Sequence, residues 1–167
     1  MTLQELGKLD EAEASYKQAI ALRANYAKAH FKLGITLKEL GRLDDAEASY
    51  KQAIALKPNY TEAYYNLGNT LKELGRLDDA EASYNLAIAS NPHHAEAHNN
   101  LGNTLRELGR LGEAKASYNQ AIASKPDYAE AHRMLASMKK FDMQDEQYSM
   151  MLELYLNEDI SEEQRCN

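Results

Sequence analysis

Short runs of apolar residues at helical spacing divide the chain, and each run stops at a glycine or a proline. In one stretch the apolar positions recur three and four residues apart: Tyr64, Leu67, Gly68, Leu71 and Leu74. A second stretch follows at the same spacing, with the apolar residues Leu77, Ala80, Tyr84, Ala87 and Ile88. This spacing places each set on one face of a helix. The pattern therefore predicts two amphipathic helices, one after the other.

The residues that flank these runs predict where each helix begins and ends. We expect Thr61 to cap the first helix and Asp78 to cap the second, because short polar side chains accept hydrogen bonds from the first free N–H groups. Gly75 is expected to end the first helix, since glycine takes the left-handed conformation at a C-terminal cap. Asn91 ends the second, because Pro92 disfavours the helical conformation in the residue before it.

The two-helix unit repeats along the chain with a period of 34 residues. Proline keeps this period at Pro58, Pro92 and Pro126. Glycine and tyrosine keep it too, at Gly7, Gly41, Gly75, Gly109, Tyr16, Tyr50, Tyr84 and Tyr118. One short helix pair cannot bury its own apolar face, so the period predicts an all-α solenoid of stacked antiparallel pairs. Three complete units span residues 27–60, 61–94 and 95–128.

Both ends of the chain depart from the repeat. Residues 1–26 form a partial unit, in which 1–6 is the tail of a first helix and 10–23 is a second helix. Residues 129–167 are predicted to form a terminal helix pair whose amphipathic second helix, 142–156, folds back as a C-terminal cap. Because the 10–23 helix lacks most of its partner, we expect it to associate with another copy of the chain, giving a homo-oligomer.

The repeat resembles the tetratricopeptide repeat (TPR) family over about residues 2–141. In the unit 61–94, the family's hallmark positions hold Tyr64, Leu67, Gly68, Ala80, Tyr84, Ala87 and Pro92. The small residues let the two helices approach closely, and Tyr84 fills the space beside them. The resemblance implies a right-handed superhelix in which the first helix of each pair lines a concave groove. It also implies a protein-interaction scaffold that binds an extended polypeptide segment in that groove.

The family's groove positions can be assigned on the four first helices. The residues predicted to form the peptide-binding groove are Lys28, Phe31, Lys32, Ile35, Tyr65, Asn66, Asn69, Lys72, Asn99, Asn100, Asn103, Arg106 and Arg133. Five of them are asparagines, and an asparagine amide can donate to a peptide carbonyl and accept from a peptide N–H. The asparagines look similar to the concave ladder of O-linked N-acetylglucosamine transferase repeats. The alternative is that asparagine is simply common at one of these positions in the family.

The first complete unit gives the predicted groove a basic and apolar end. Lys28, Phe31, Lys32 and Ile35 lie there, and they suit an acidic or carboxylate-bearing peptide. Chaperone-binding members of the family hold a peptide carboxylate with a clamp of lysine, asparagine and arginine side chains. Two asparagines of that clamp match here, but Tyr65, Glu130 and Met134 stand at its cationic positions: the first two replace lysines and the third replaces the arginine. We therefore do not predict binding to the C-terminal tails of heat-shock chaperones.

Charge and cysteine content narrow the class of partner. The net charge is −7 and both signs are interspersed, so no basic face for nucleic acid is predicted. Cys166 is the only cysteine, which suits a reducing compartment. The N-terminus lacks the pattern of a signal peptide, and no apolar run is long enough to span a bilayer. These features predict a cytoplasmic protein that does not contact membranes.

The sequence predicts no catalytic motif, cofactor or metal. Glycine-rich phosphate loops, metalloprotease helices and nucleophile elbows are missing from it. His30, His98 and His132 share one repeat position with Tyr64, so we interpret them as packing residues. His94 lies one helical turn before His98, but without an obvious further ligand this pair predicts no functional metal site.

Two other functions compete with the scaffold. In the first, the chain is the recognition arm of a larger enzyme of the glycosyltransferase or sulfotransferase type. Residues 132–135 and 160–166 loosely resemble the segment that joins such repeats to a bacterial sulfotransferase domain. Alternatively, it would be a structural module that stacks end to end. In either case this chain alone is not expected to be an enzyme.

Overall fold

The computed structural model describes residues 3–138, with side chains from residue 7 onward. Within this part, all regular structure is helical and no strand occurs. The helices are α1 (Leu3–Leu22), α2 (Ala27–Glu39), α3 (Leu43–Leu56), α4 (Thr61–Glu73), α5 (Leu77–Ser90), α6 (Ala95–Glu107), α7 (Leu111–Ser124) and α8, described over 129–138. The predicted cap helix at 142–156 lies outside the described residues.

The helices form pairs that stack in chain order. Helix α2 packs against α3, α4 against α5, and α6 against α7. The second helix of each pair also packs against the first helix of the next pair, as α3 does against α4. Each pair therefore buries one face within itself and another against its neighbour, as the period predicted.

Glycine ends the first helix of each complete pair, as predicted for Gly75. The φ angle of Gly75 is +75°, in the left-handed region that favours glycine. Its N–H donates to the carbonyl of Lys72 at 2.9 Å, and the N–H of Arg76 donates to the carbonyl of Leu71 at 2.9 Å. These two bonds use carbonyls that the helix end would otherwise leave free, and they turn the chain into α5.

The predicted N-terminal caps were wrong by one and two residues. Helix α4 begins at Thr61 itself with Tyr60 as its cap, and α5 begins at Leu77 with Arg76 as its cap. Neither cap makes a side-chain hydrogen bond to the helix, and Asp78 lies inside the first turn of α5. The reason is tertiary, because Tyr60 is buried at the N-terminus of α4 and the Arg76 guanidinium is held by carboxylates.

Close contact between a glycine and a tyrosine ring fixes the distance between the helices of a pair. A Cβ placed on Gly68 would lie 2.6 Å from Cε1 of Tyr84, so only glycine allows this approach. Ala80, Tyr84 and Ala87 are fully buried. The same contact recurs between Gly34 and Tyr50, and again in the third pair between Gly102 and Tyr118.

The N-terminal unit differs from the sequence prediction. Helix α1 runs without a break from Leu3 to Leu22, whereas a first-helix tail was expected to end near Gly7. Gly7 lacks the left-handed φ of the glycines that end α2, α4 and α6. Continuing α1 through Gly7 keeps the backbone hydrogen bonds that a turn would remove.

A ladder of ion pairs joins the second helices of successive pairs. Arg76 contacts Glu47 of the preceding pair and Asp79 of its own pair, each at 2.7 Å. The equivalent contacts are Arg42 with Glu13 and Asp45, and Arg110 with Glu81 and Glu113. Burial raises the pKa of the Glu47 carboxyl, but hydrogen bonds from Lys51 and Arg76 outweigh this effect and hold that pKa below its usual value. The sequence did not predict this ladder, because the two residues that join neighbouring pairs are 29 positions apart in the chain.

The glycine contact gives a direct stability prediction. Gly68→Ala is expected to lower the free energy of unfolding by about 1–3 kcal/mol, because its methyl group would overlap the buried Tyr84 ring. Gly112→Ala in α7 is the matched control, since no atom lies within 4 Å of its added Cβ. That change should be neutral or stabilising by up to about 1 kcal/mol. Urea unfolding followed by circular dichroism measures both, and equal stabilities would contradict the proposed contact.

Candidate functional site

The first helices α2, α4, α6 and α8 carry all the residues predicted to bind a ligand. We call the face with these residues the first-helix surface. Adjacent first helices are close enough for ion pairs: Lys38 Nζ lies 2.7 Å from Glu73 Oε1, and Lys72 Nζ lies 2.8 Å from Glu107 Oε1. Lys72, a predicted groove residue, is therefore neutralised by the next helix, although a quarter of its side chain stays accessible.

Asn69 is the centre of a hydrogen-bond network on this surface. Its Oδ1 accepts from the Tyr84 hydroxyl at 2.8 Å and from Asn100 Nδ2 at 2.8 Å. Asn100 Nδ2 also lies 3.3 Å from the hydroxyl of Tyr65. Both lone pairs of the Asn69 oxygen are thus used. The network ties α4, α5 and α6 together and fixes the Asn69 amide in place.

Two further predicted asparagines, Asn103 and Asn66, are held at one end of the amide. Asn103 Oδ1 accepts from the Tyr118 hydroxyl at 2.8 Å, which repeats the Asn69 contact one unit later. Asn66 Nδ2 donates to the backbone carbonyl of Glu62 at 2.8 Å. Within the described residues, the Nδ2 groups of Asn69 and Asn103 make no hydrogen bond. Both side chains are half-buried.

Ile35 stands where the next two units have Asn69 and Asn103. Its unit therefore offers no oxygen to the hydroxyl of Tyr50, which is fully buried and has no hydrogen-bond partner. Burial, followed by the charges of Glu39 and Glu73, raises the pKa of this hydroxyl far above its usual value. At the equivalent positions of the next two units, the asparagine oxygen is the acceptor that the buried tyrosine hydroxyl needs.

Two predicted groove residues are buried and do not present their side chains to solvent. Phe31 packs its ring against Tyr60, with ring centroids 4.9 Å apart, and is only 8% exposed. Asn99 is 2% exposed, and its Oδ1 has no hydrogen-bond partner. Phe31 and Asn99 occupy the same repeat position, which in their two units faces the packed core. In the second unit Tyr65 fills this position and packs against His94 at 4.9 Å.

The remaining predicted groove residues are cations at the surface. Lys28, Lys32 and Arg106 are exposed. Arg133 is exposed too, but it forms a two-oxygen contact with Glu130 of its own helix at 2.6 and 2.7 Å. Lys28 and Lys32 form no ion pair within the described residues, and Lys32 Nζ lies 5.8 Å from the centre of the Phe31 ring.

The histidines at the fourth repeat position bind the preceding loop. His98 Nε2 lies 3.0 Å from the carbonyl of Pro92, and His132 Nε2 lies 2.8 Å from the carbonyl of Pro126. A carbonyl only accepts, so each Nε2 donates. His30 makes the same contact with the carbonyl of Ala24 at 3.2 Å. Among the described side chains, no group of three or more histidine, cysteine, aspartate or glutamate residues is arranged to hold a metal ion.

Comparison with known proteins assigns these repeats. Two family models match the chain, one described as "Tetratricopeptide repeat" over residues 65–129 and 99–138, the other as "TPR repeat" over 3–41 and 36–75. The chain belongs to the tetratricopeptide-repeat family. The fold is the all-α TPR solenoid that the sequence predicted, and this fold is a protein-interaction scaffold. A comparison with curated proteins gives no match.

Solved TPR structures share this architecture. A crystal structure of MamA superposes with a TM-score of 0.78 at 27% identity, over 87% of this chain and 88% of MamA. A second MamA crystal structure gives 0.77 at 25% identity, over 95% and 90%. The first TPR of Spaghetti (RPAP3), bound to the HSP90 peptide SRMEEVD, gives 0.66 at 24% identity, over 68% and 90%. Over the residues described for this chain, no helix has the length and apolarity needed to span a membrane.

The tyrosine hydroxyls predict a difference in stability between equivalent positions. Tyr84→Phe removes a buried bond to Asn69 and is expected to lower the free energy of unfolding by about 1 kcal/mol. Tyr50→Phe removes a hydroxyl without a partner, so it should leave stability unchanged or raise it. Urea unfolding of both variants tests this difference. Equal losses would mean that the Tyr50 hydroxyl has a partner in solution.

Proposed function

We propose that this TPR protein binds an extended polypeptide segment along the first-helix surface and holds it mainly by its backbone. The observation that supports this is the pair of asparagine amides at positions 69 and 103. Each is fixed at its oxygen by a buried tyrosine and leaves its Nδ2 donor without a partner among the described residues. A donor that is already held in place loses little entropy when a ligand carbonyl accepts from it.

The spacing of these donors suits an extended chain. Packed helices lie about 8–10 Å apart. An extended polypeptide in the polyproline II conformation advances about 3.1 Å per residue with three residues per turn, so carbonyls three residues apart point the same way and would meet the Asn69 and Asn103 donors. Backbone contacts of this kind depend little on ligand side chains. The proposal therefore predicts tolerance of different sequences at these positions.

The intramolecular bonds also support the alternative that these asparagines are structural. Asn69 Oδ1 is used by Tyr84 and Asn100, and that role alone explains an asparagine here. The two roles use different ends of the amide, however. The oxygen serves the fold and the nitrogen remains for the ligand, so an experiment can separate them.

The RPAP3 repeat bound to an HSP90 peptide supports a peptide as the class of ligand. It does not extend the proposal to chaperone tails. In this chain, Tyr65 takes part in the asparagine network, Met134 is buried and Glu130 is acidic, at the positions where the clamp needs cations. We propose polypeptide binding without the clamp.

The test removes the donor and keeps the acceptor. Random linear peptides displayed on phage are enriched on the wild-type protein, and their affinities are then measured for Asn69→Asp with Asn103→Asp. The aspartate oxygens can still accept from Tyr84 and Tyr118, so the fold should persist. Loss of two donors should weaken binding about tenfold or more.

Two control variants make the result specific. Asn69→Ile with Asn103→Ile removes the donors without adding charge and copies the residue at position 35. Tyr84→Phe with Tyr118→Phe breaks the same internal bonds while the amides remain. Both asparagine variants should bind weakly, whereas the phenylalanine variant keeps the donors and loses only their positioning, so its affinity should lie between theirs and that of the wild type. Wild-type affinity in the asparagine variants, or no enrichment of any peptide, would refute the proposal.

A second candidate function, self-association through α1, has its own supporting observation. Ala80, Tyr84 and Ala87 of α5 are fully buried against α4, whereas the equivalent Tyr16 of α1 is only partly buried. Ala12 and Ala19 of α1 are partly exposed as well. Within the described residues, α1 has no first helix of its own unit. We infer that a first helix from a second copy can pack there.

Sedimentation velocity over a range of concentrations tests this association. The weight-average sedimentation coefficient should rise with concentration in the wild type. It should rise much less in Ala12→Glu, which places a charge on the partly exposed face of α1. A monomer at the highest concentration reached would rule the idea out.

A further inference from the structure

Helix α2 differs from the other first helices in charge. Position 28 holds lysine where the other three units have Glu62, Glu96 and Glu130. Position 32 holds lysine where the others have Asn66, Asn100 and Met134. The groove positions of α2 hold three lysines and one glutamate. Those of α4 and α6 each hold two glutamates and one basic residue. The groove positions therefore carry a net positive charge on α2 and a net negative charge on α4 and on α6.

Among the described residues, Lys28 makes no stabilising contact, and Lys32 makes only an exposed one, with its Nζ 5.8 Å from the centre of the Phe31 ring. Both are exposed, and neither forms an ion pair within the described residues. Lys38 and Lys72, by contrast, pair with the next helix. Lys28 also lies in the first turn of α2, which has no acidic residue, and a cation there is unfavourable for the helix dipole. Residues that break a local rule without a compensating contact point to a function.

Lys38 is paired with Glu73 of the next helix, so the unpaired positive charge that α2 presents to a chain lying over it comes from Lys28 and Lys32. At physiological ionic strength, charges separated by more than about 8 Å are largely screened. Helix axes are spaced by roughly that distance or more. Lys28 and Lys32 are one helical turn apart, so the two ammonium groups can approach the same acidic segment. Glu62 is exposed and forms no ion pair within the described residues.

We propose that this surface fixes the direction of its ligand by charge, with the acidic part of an extended polypeptide over α2 and a neutral or basic part over α4 and α6. The inference rests on the proposed binding along the first-helix surface and adds the chemistry of the partner. A uniformly anionic chain such as a nucleic acid fits less well, because beyond α2 it would meet Glu62 and Glu96. The partner is a polypeptide with separated acidic and basic stretches.

Synthetic peptides with a block of acidic residues at one end and a block of basic residues at the other test this arrangement. Both block orders are made, together with a peptide of the same composition in which the charges alternate. A photo-crosslinking group on the acidic block reports where that block lies. It should attach to α2, and affinity should exceed that of the alternating peptide and fall as salt is added.

The matched variant is Lys28→Glu with Lys32→Asn, which introduces the residues that the second unit has at positions 62 and 66. It should fold at least as well as the wild type, because it restores an acid to the first turn of α2. Binding of the block peptides should weaken about tenfold at low salt. Unchanged affinity, or crosslinks spread equally over α2 and α6, would overturn the proposal.

The asparagine variants show which of the two proposals fails. If enriched peptides lose affinity for Asn69→Ile with Asn103→Ile but not for the lysine variant, backbone binding stands and charge reading is wrong. If neither variant changes the affinity of any peptide, both proposals are wrong. If both variants weaken the block peptides while circular dichroism shows a native fold, both proposals are supported.

Discussion

The approach of two helices at a glycine sets the geometry on which the rest of this solenoid depends. Tyr84 reaches the backbone of Gly68 so closely that a single methyl group would overlap its ring. The ring is then held at a fixed depth, and its hydroxyl reaches the first-helix surface at Asn69. Because each unit repeats this contact, the same surface position is presented at regular steps along the chain.

One buried tyrosine therefore serves both packing and the candidate binding surface. An acceptor for its hydroxyl stabilises the fold, since an unpaired buried donor is costly. Asn69 and Asn103 supply that acceptor, and in doing so their amides become rigid. The unit with Ile35 omits the acceptor and leaves Tyr50 unpaired, so the amide is not indispensable to the fold. That difference allows a role in binding for the amide nitrogen.

Most of the ion pairs described above bridge neighbouring helix pairs, and Lys28 is an exception. Arginine and glutamate on the second helices, such as Arg76 with Glu47, bridge neighbouring pairs and help to keep them in register. Lysine and glutamate on the first helices also bridge neighbours, as Lys72 does with Glu107. Lys28 stands apart from both ladders and in the first turn of α2, where lysine does not favour the helix. We connect this exception to the ligand.

The sequence by itself determined the period, the helical pairs and their C-terminal ends, because spacing and the left-handed turn at Gly75 are local properties of the chain. Tertiary structure decided the rest. Packing moved the helix start at Thr61, the single helix α1 continued through Gly7, and Asn99 became buried. The bonds of Asn69 join residues 15 and 31 positions apart, a relation that only the stacked helices create.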